Sequence, residues 1–284
     1  MPQIAPVQRG LVHRAFLEAF ADYAMDASGT PEERLLLRME KNAVDYALSP
    51  GLYDGDRLVG FTLIGIDDWG GARSAYDAGT GIVPAFRKHG WAKRMFDHAC
   101  PALRERGVER FVLEVLQQNE PAIKAYQKSG FAIARELRCY AIETEKLAGL
   151  PHPAAIEVRP IDRTTFAALE ASADWIPSFE NRFSALEAIP EHVELTGAFV
   201  DGALAGGCAY SPALHWLLAL LVDRGRRRRG VGTALMRHLG TTLVGSHPRL
   251  TALNVDGEDL GTQSFFGAVG FEPLVDQFEM TRAL

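Results

Sequence analysis

The sequence predicts an α/β (α+β) chain built from two copies of one domain. Three observations carry that expectation. First, the chain matches itself when displaced by 140 residues: Arg87 falls on Arg227, Gly90 on Gly230, Ala92 on Gly232, Leu113 and Val115 on Leu253 and Val255, and Gly130-Phe131 on Gly270-Phe271 (227 − 87 = 140). A period that long means two domains rather than a solenoid. Second, apolar runs with strand alternation and runs with helical spacing occur in both copies. Third, 284 residues are comfortable for two hydrophobic cores.

The elements follow in order. Val12 to Tyr23 and Pro31 to Leu48 read as helices, and "QIAPV" as a weak opening strand. "RLVGFTLIGI" from Arg57 reads as a strand entered through the turn Asp54-Gly55-Asp56, and "SAYDAGTGIV" as the next strand. Trp91, Met95, Ala99 and Leu103 recur at four-residue spacing, one face of a helix over Trp91 to Arg104. "RFVLEVL" is a buried strand. Pro121 to Ser129 is a short helix with Asn119 as its N-cap and Gly130 as its stop, and "FAIARELRCYAIE" closes the copy as a strand or hairpin. "KLAGLPHPAAIEV" is punctuated by Gly149, Pro151 and Pro153, which places the boundary there: domains over 1–147 and 154–284, joined by a linker over 148–153. The second copy opens with "IEVRPID" and repeats the plan with "TGAFVDGALAGGCAY", "HWLLALLV", a helix over Val231 to Leu239, "LTALNV" and a helix over Thr262 to Val269.

Bulk properties remove several classes of function. Composition is ordinary globular, 47% hydrophobic and 23% charged, with a formal net charge of −6. Nucleic-acid binders carry a basic balance, so no nucleic-acid partner is expected. Cys100, Cys139 and Cys208 are too few and too scattered for a disulfide frame or a zinc knuckle, and no His/Cys cluster suggests a metal. The N-terminus shows no apolar leader, and the longest apolar run, Leu214 to Val222, is too short to span a bilayer. A cytoplasmic protein without a membrane partner is expected.

The stretch "VDRGRRRRGVG" concentrates Arg224 and Arg226 to Arg229 between a strand and a helix, and "VPAFRKHGWA" occupies the same place in the first copy. A helix start offers unpaired N–H groups and positive potential, which suits phosphate. Small residues at Gly90/Ala92 and Gly230/Gly232 let a phosphate approach the backbone, with Arg87 and Arg227 in support. Two other readings compete. "GVGTAL" with Asp256 resembles a dinucleotide fingerprint but lacks the third glycine. A solvated arginine run or a nucleic-acid patch covers the extra arginines but leaves the repeat unexplained.

These residues resemble the GNAT superfamily of N-acetyltransferases. Both stretches fit its acyl-CoA signature, [Q/R]-x-x-G-x-[G/A], and "NEPAIKAYQKSGF" resembles its second block. The resemblance covers roughly residues 50–145 and 195–284. It implies two tandem GNAT-like domains, each a mixed, mostly antiparallel splayed sheet flanked by helices, and acetyl-CoA as cosubstrate without a metal. By resemblance, Ile82 and Val222 offer backbone contacts to the pantetheine arm. The amides of Lys88, His89, Gly90, Trp91 and Ala92 hold the pyrophosphate, as do those of Arg228, Arg229, Gly230, Val231 and Gly232. Asn119 contacts the arm, and Tyr126 protonates the leaving thiolate.

The copies differ where chemistry is expected. Tyr126 corresponds to Phe266 and Asn119 to Asp259. Phe donates no proton, so the N-terminal copy is expected to be the working one. The C-terminal copy then binds acyl-CoA without turnover or shapes the substrate cleft. Asp77 and Glu114 are the candidate general bases. Glu18, Asp22 and Asp26 form either an acidic face for a cationic amine or a solvated helix face, and Trp69 on "DDWGGARSAYD" is either a lid or a hairpin tip. The acceptor is a small-molecule or peptide amine. A non-catalytic acyl-CoA sensor is the competing function.

Overall fold

The computed structural model describes residues 2–22, 29–151, 153 and 155–284. In chain order, the first half holds β1 (Gln3–Pro6), α1 (Val12–Ala19), α2 (Glu32–Lys41), β2 (Pro50–Asp54), β3 (Arg57–Trp69), β4 (Ala72–Ile82), α3 (Trp91–Glu105), β5 (Arg110–Leu116), α4 (Glu120–Lys128) and β6 (Ala132–Glu143). The second half holds α5 (Thr144–Ala148), β7 (Ile156–Pro160), α6 (Arg163–Ala167), α7 (Ala185–Ala188), β8 (Glu194–Val200), β9 (Ala203–Ser211), β10 (Trp216–Val222), α8 (Val231–Leu243), β11 (Arg249–Asp256), α9 (Leu260–Val269) and β12 (Glu272–Ala283).

The chain folds into two compact units that do not divide at the linker. Unit 1 is Met1–Arg135 with Phe278–Leu284, and unit 2 is Glu136–Gln277. The strand order in unit 1 is β1-β2-β3-β4-β5-β12. Its last strand therefore comes from the C-terminus of the chain. Leu284 donates its N–H to the Glu109 carbonyl at 2.9 Å, Met280 is fully buried in the core of unit 1, and Arg135 pairs with Glu279 at 2.8 Å. Unit 2 runs β6-β11-β10-β9-β8-β7, so β6 supplies its edge strand, with Tyr140 opposite Ala252 and Arg138 opposite Val255. The linear division at 148–153 thus differs from the structural one, because each copy's closing strand is seated in the other unit. The start of the linker stretch is also packed: a Cβ at Gly240 of α8 would meet Ala148 N at 2.4 Å.

Both sheets are mixed and mostly antiparallel, flanked by helices. In unit 1 the parallel pair is β4 with β5, bonded only from Ser74–Arg110 to Asp77–Leu113. In unit 2 it is β10 with β11, bonded only at Trp216–Thr251 and Leu217–Ala252. A register shift falls beside each pair, after Asp77 on β4 and after Leu217 on β10. Such an irregularity bends the strand and lets it leave its neighbour. Each parallel pair therefore splays into a wedge beyond that point.

Most predicted elements are present, with three differences. The helix read over Val12 to Tyr23 ends at Ala19, and Tyr23 lies outside the described residues. The helix read over Pro31 to Leu48 stops at Lys41, because Ala43 takes φ 53° and Val44 then bridges to Gly65; β2 follows. Trp69 is no open lid. It is buried at the β3–β4 turn, with the Arg110 guanidinium 4.6 Å over its ring.

Candidate active site

The two phosphate loops have one conformation. Arg87 has φ −69° and ψ 167°, and Arg227 has φ −64° and ψ 157°. Lys88 (φ 68°) and Arg228 (φ 61°) are left-handed although neither is glycine, and Gly90 (φ 73°) and Gly230 (φ 85°) are left-handed again at the helix N-cap. A left-handed non-glycine residue costs about 1 kcal/mol. The strain turns successive amides toward one point, an anion-binding nest. Among the described residues, no acceptor takes the N–H groups of Lys88 to Lys93 or of Arg228 to Thr233. A diphosphate therefore fits this donor set. No side chain is needed near the amides, and a Cβ at Gly90 would meet nothing within 4 Å.

The signature arginines are bonded within the protein. Arg87 donates Nε to the Ile82 carbonyl at 2.9 Å, its terminal nitrogens to the two Asp22 oxygens at 2.7 and 2.8 Å, and one of them also to the Ala19 carbonyl at 2.8 Å. Arg227 repeats the pattern. It donates to the Val222 carbonyl at 3.2 Å, to the Ser172 carbonyl at 2.7 Å, and to Asp174. Arg224 reinforces Asp174 at 3.0 Å. These guanidiniums hold the Asp22 and Asp174 carboxyls below the usual carboxylate range. The carbonyls of Ile82 and Val222 each accept one hydrogen bond from the signature arginine of their loop. Of the expected acidic series, Glu18 on α1 is bonded by Arg14 and Arg57, Asp22 beyond the end of α1 is bonded by Arg87, and Asp26 lies outside the described residues.

In unit 1 the candidate catalytic groups stand on three elements, Asp77 on β4, Glu114 on β5 and Tyr126 on α4. Tyr126 on α4 packs edge-on to Phe96 and Phe131, with centroids 6.0 Å away in each case. Asp77 stands opposite Leu113, whose side chain belongs to the core under α3. Glu114 is the next residue on β5 and faces the other way, toward α1, because strand side chains alternate. There the Tyr76 hydroxyl donates to Glu114 Oε2 at 2.9 Å. The two carboxylates expected as alternative bases therefore lie on opposite faces. Asp77 is only 6% exposed, and burial pushes its carboxyl up to about 7. The Thr80 hydroxyl at 2.7 Å, the Gly79 amide at 3.0 Å and the Arg38 charge oppose that rise.

Asn119 and Asp259 cap α4 and α9, accepting from Ala122 N at 3.2 Å and Thr262 N at 2.9 Å. The amide nitrogen of Asn119 donates to no described residue. His89, Trp91 and Ala92 follow Lys88 around the loop into α3, with Arg94 stacked 4.6 Å over Trp91.

The wedge of unit 2 opens into a cavity of about 530 Å³ between β10 and β11. Its walls include Arg228, Gly230 to Thr233, Asp256, Asp259 and Phe266. The positions of Asp77, Glu114 and Tyr126 are Leu217, Asn254 and Phe266 here. Phe266 is buried, stacked 4.4 Å from Phe271. A third wall, Asp174 to Pro177, went unread in the sequence. Its signal is a second internal match, Ala21-Asp22-Tyr23 with Ala173-Asp174-Trp175, hidden because its displacement is 152 rather than 140 (173 − 21 = 152).

Among the described residues, no group of three or more His, Cys, Asp or Glu side chains could hold a metal, and no helix is long and apolar enough to cross a membrane.

Comparison with known proteins agrees with this geometry. The model of the acetyltransferase (GNAT) family matches residues 12–131 and 158–271. A streptothricin acetyltransferase from Streptomyces lavendulae is 37% identical over 79 residues, 28% of this chain and 40% of that protein. The chain thus spans less than half the length of that relative. Among solved structures, a tandem GNAT protein from the clavulanic acid biosynthesis pathway superposes with a TM-score of 0.76 at 18% identity, covering 100% of this chain and 98% of the other. A GCN5-related N-acetyltransferase from Sphaerobacter thermophilus also gives 0.76, at 15% identity, covering 99% and 95%. Two strained phosphate loops, two splayed parallel pairs and a family match in both halves lead to one conclusion: the chain belongs to the acetyltransferase (GNAT) family, as a tandem of two such domains.

Proposed function

We propose that the chain transfers an acetyl group from acetyl-CoA to a primary amine of a small-molecule or peptide acceptor, and that unit 1 does the chemistry. The observation that supports this reading is that unit 1 carries a tyrosine and two carboxylates, Tyr126, Asp77 and Glu114, where unit 2 carries Phe266, Leu217 and Asn254. Tyr126 lies on the α3 face and Glu114 on the α1 face, steadied by the Tyr76 hydroxyl at 2.9 Å. The amine lone pair attacks the thioester carbonyl carbon, and the C–S bond breaks. The thiolate takes the Tyr126 proton, and the ammonium proton passes to Glu114. Asp77, on the other face of the sheet from Glu114, is the alternative base. The three cysteines are free and buried, which suits a reducing cytoplasm.

The named activity of the streptothricin acetyltransferase relative supports a small-molecule acceptor such as streptothricin. The test is release of free thiol when the full chain is mixed with acetyl-CoA and a panel that includes streptothricin, small polyamines and peptide N-termini. Turnover with at least one amine, reduced by Glu114→Gln, supports the reading. Tight acetyl-CoA binding with no turnover on the whole panel favours a second one, a non-catalytic acyl-CoA sensor. What speaks for the sensor is that the 530 Å³ cavity belongs to unit 2, where Leu217, Asn254 and Phe266 replace the acid–base set.

A further inference from the structure

Both phosphate loops are tied by their signature arginine to an aspartate that follows the first helical segment of that copy. The acceptors repeat in kind: the carbonyl of the last strand residue (Ile82, Val222), a carboxylate (Asp22, Asp174) and a carbonyl just before it (Ala19, Ser172). Two copies with little else in common at these side chains keep the same fork of hydrogen bonds. An exposed ion pair by itself contributes little to stability, so its retention in both units points to placement rather than to folding.

What it places is visible in unit 2. Trp175 follows Asp174 directly and is 43% exposed, and Ile176 is 55% exposed. With Pro177 they form one wall of the cavity, facing the loop from Arg228 to Thr233 and the α9 wall. An exposed tryptophan on the wall of a mostly apolar cavity offers a large apolar face to a ligand. The wall reaches the loop through Asp174, which accepts from both Arg227 and Arg224. The Ala173 carbonyl accepts from Arg224 as well, at 3.0 Å. The loop arginines and the wall are therefore joined through Asp174, the residue before Trp175, and through Ala173.

We propose that the Arg227–Asp174 pair is a positioning clamp that couples the diphosphate loop of unit 2 to the Trp175–Pro177 wall, and that Trp175 is the wall residue a coenzyme A thioester covers. This rests on the reading of the unit 2 wedge as an acyl-CoA site. An anion settling on the loop amides fixes Arg227, Arg227 fixes Asp174, and Asp174 sets Trp175 against the ligand. Coupling of this kind is reciprocal, so removing the clamp weakens coenzyme A as well as freeing the wall. Arg227 and Asp174 act as positioning residues, each through its hydrogen bond to the other, although both also line the cavity.

The experiment uses the full chain carrying Gly90→Glu, which blocks the loop of unit 1, so that coenzyme A reports on unit 2. Binding is measured by calorimetry. Tryptophan emission is followed in the same titration, and the contribution of Trp175 is taken as the difference from a Trp175→Phe partner. The expected result is saturable binding with a blue shift of the Trp175 signal. In Asp174→Ala the shift is lost and the Kd rises about fivefold or more, while Asp174→Asn, which keeps an acceptor for Arg227, restores part of both. A clamp that only stabilised the fold would lower the melting midpoint and leave Kd and emission unchanged, and that outcome overturns the proposal. So does a Trp175 signal in Asp174→Ala that still follows coenzyme A as before, or a Trp175 signal that ignores coenzyme A in the parent. Failure of coenzyme A to bind the folded Gly90→Glu chain at all overturns the underlying acyl-CoA reading of unit 2, and is told apart by the flat calorimetric trace.

Discussion

Replacing Asp77 with asparagine should remove a pH dependence of stability that this buried carboxyl writes into unit 1. In the unfolded chain Asp77 titrates near 3.8; in the fold burial moves it to about 7. Below pH 3.8 both states are protonated and the full stability is present. Between about 4 and 7 the unfolded chain loses its proton while the folded chain keeps it, so stability falls as pH rises. Above 7 both are ionised and the loss is complete. At about 1.4 kcal/mol per pH unit the total is roughly 4 kcal/mol. Asparagine keeps an oxygen for the Gly79 amide, and its nitrogen can donate to Thr80, whose hydroxyl already lies 3.0 Å from Thr62. The assay is urea unfolding of both proteins at half-unit steps from pH 4.5 to 7.5. Other titrating groups are common to the pair and cancel. The variant should gain on the parent by about 1.4 kcal/mol per pH unit across that window. A stability difference that stays flat with pH would show that the buried carboxyl is not protonated in the fold, and the reasoning fails.

Three further outcomes are expected. Gly240→Ala places a Cβ 2.4 Å from Ala148 N and 2.5 Å from Leu147 Cβ, so α5 must move off α8; a loss of about 1–3 kcal/mol should appear in the melting curve, and an unchanged midpoint would mean that α5 does not pack there. Tyr126→Phe should lower kcat at least tenfold with little change in the Kd for acetyl-CoA, measured by stopped thiol release and calorimetry, since general-acid catalysis contributes about 10²–10⁴-fold; an unaffected kcat removes the acid role. The thiols of Cys100, Cys139 and Cys208 are buried, and burial pushes Cys208 up to about 12; a chromogenic disulfide at pH 8 should therefore label the native chain slowly and all three thiols in guanidinium.

The parts of the fold that were legible in the sequence are those fixed locally. β5 was bounded residue for residue by its apolar run, and α4 to within one residue at each end by the Asn119 cap and the Gly130 stop, because caps and periodicity act over a few residues. The phosphate loops were legible because left-handed backbone at Gly90 and Gly230 demands glycine. Three things were not legible. The seat of the closing strand was hidden because β6 and β12 carry equivalent patterns, and pairing is decided by tertiary contact. The separation of Asp77 from Glu114 depends on the β4–β5 register, which no single strand encodes. The arginine's partner was hidden because Asp22 and Asp174 stand at a different displacement from the rest of the repeat, across segments of unequal length.

The origin of β12 in unit 1 and β6 in unit 2 bears on how such a chain can be taken apart. Cleavage between residues 148 and 153 would not liberate two self-sufficient proteins. The N-terminal fragment would hold a strand addressed to the other body and lack its own final one, and the C-terminal fragment would be in the mirrored position. Gene fission at this seam would therefore produce partners obliged to find each other, or pieces that must re-enlist their native-order strand, and a duplication fixed in this form resists being undone.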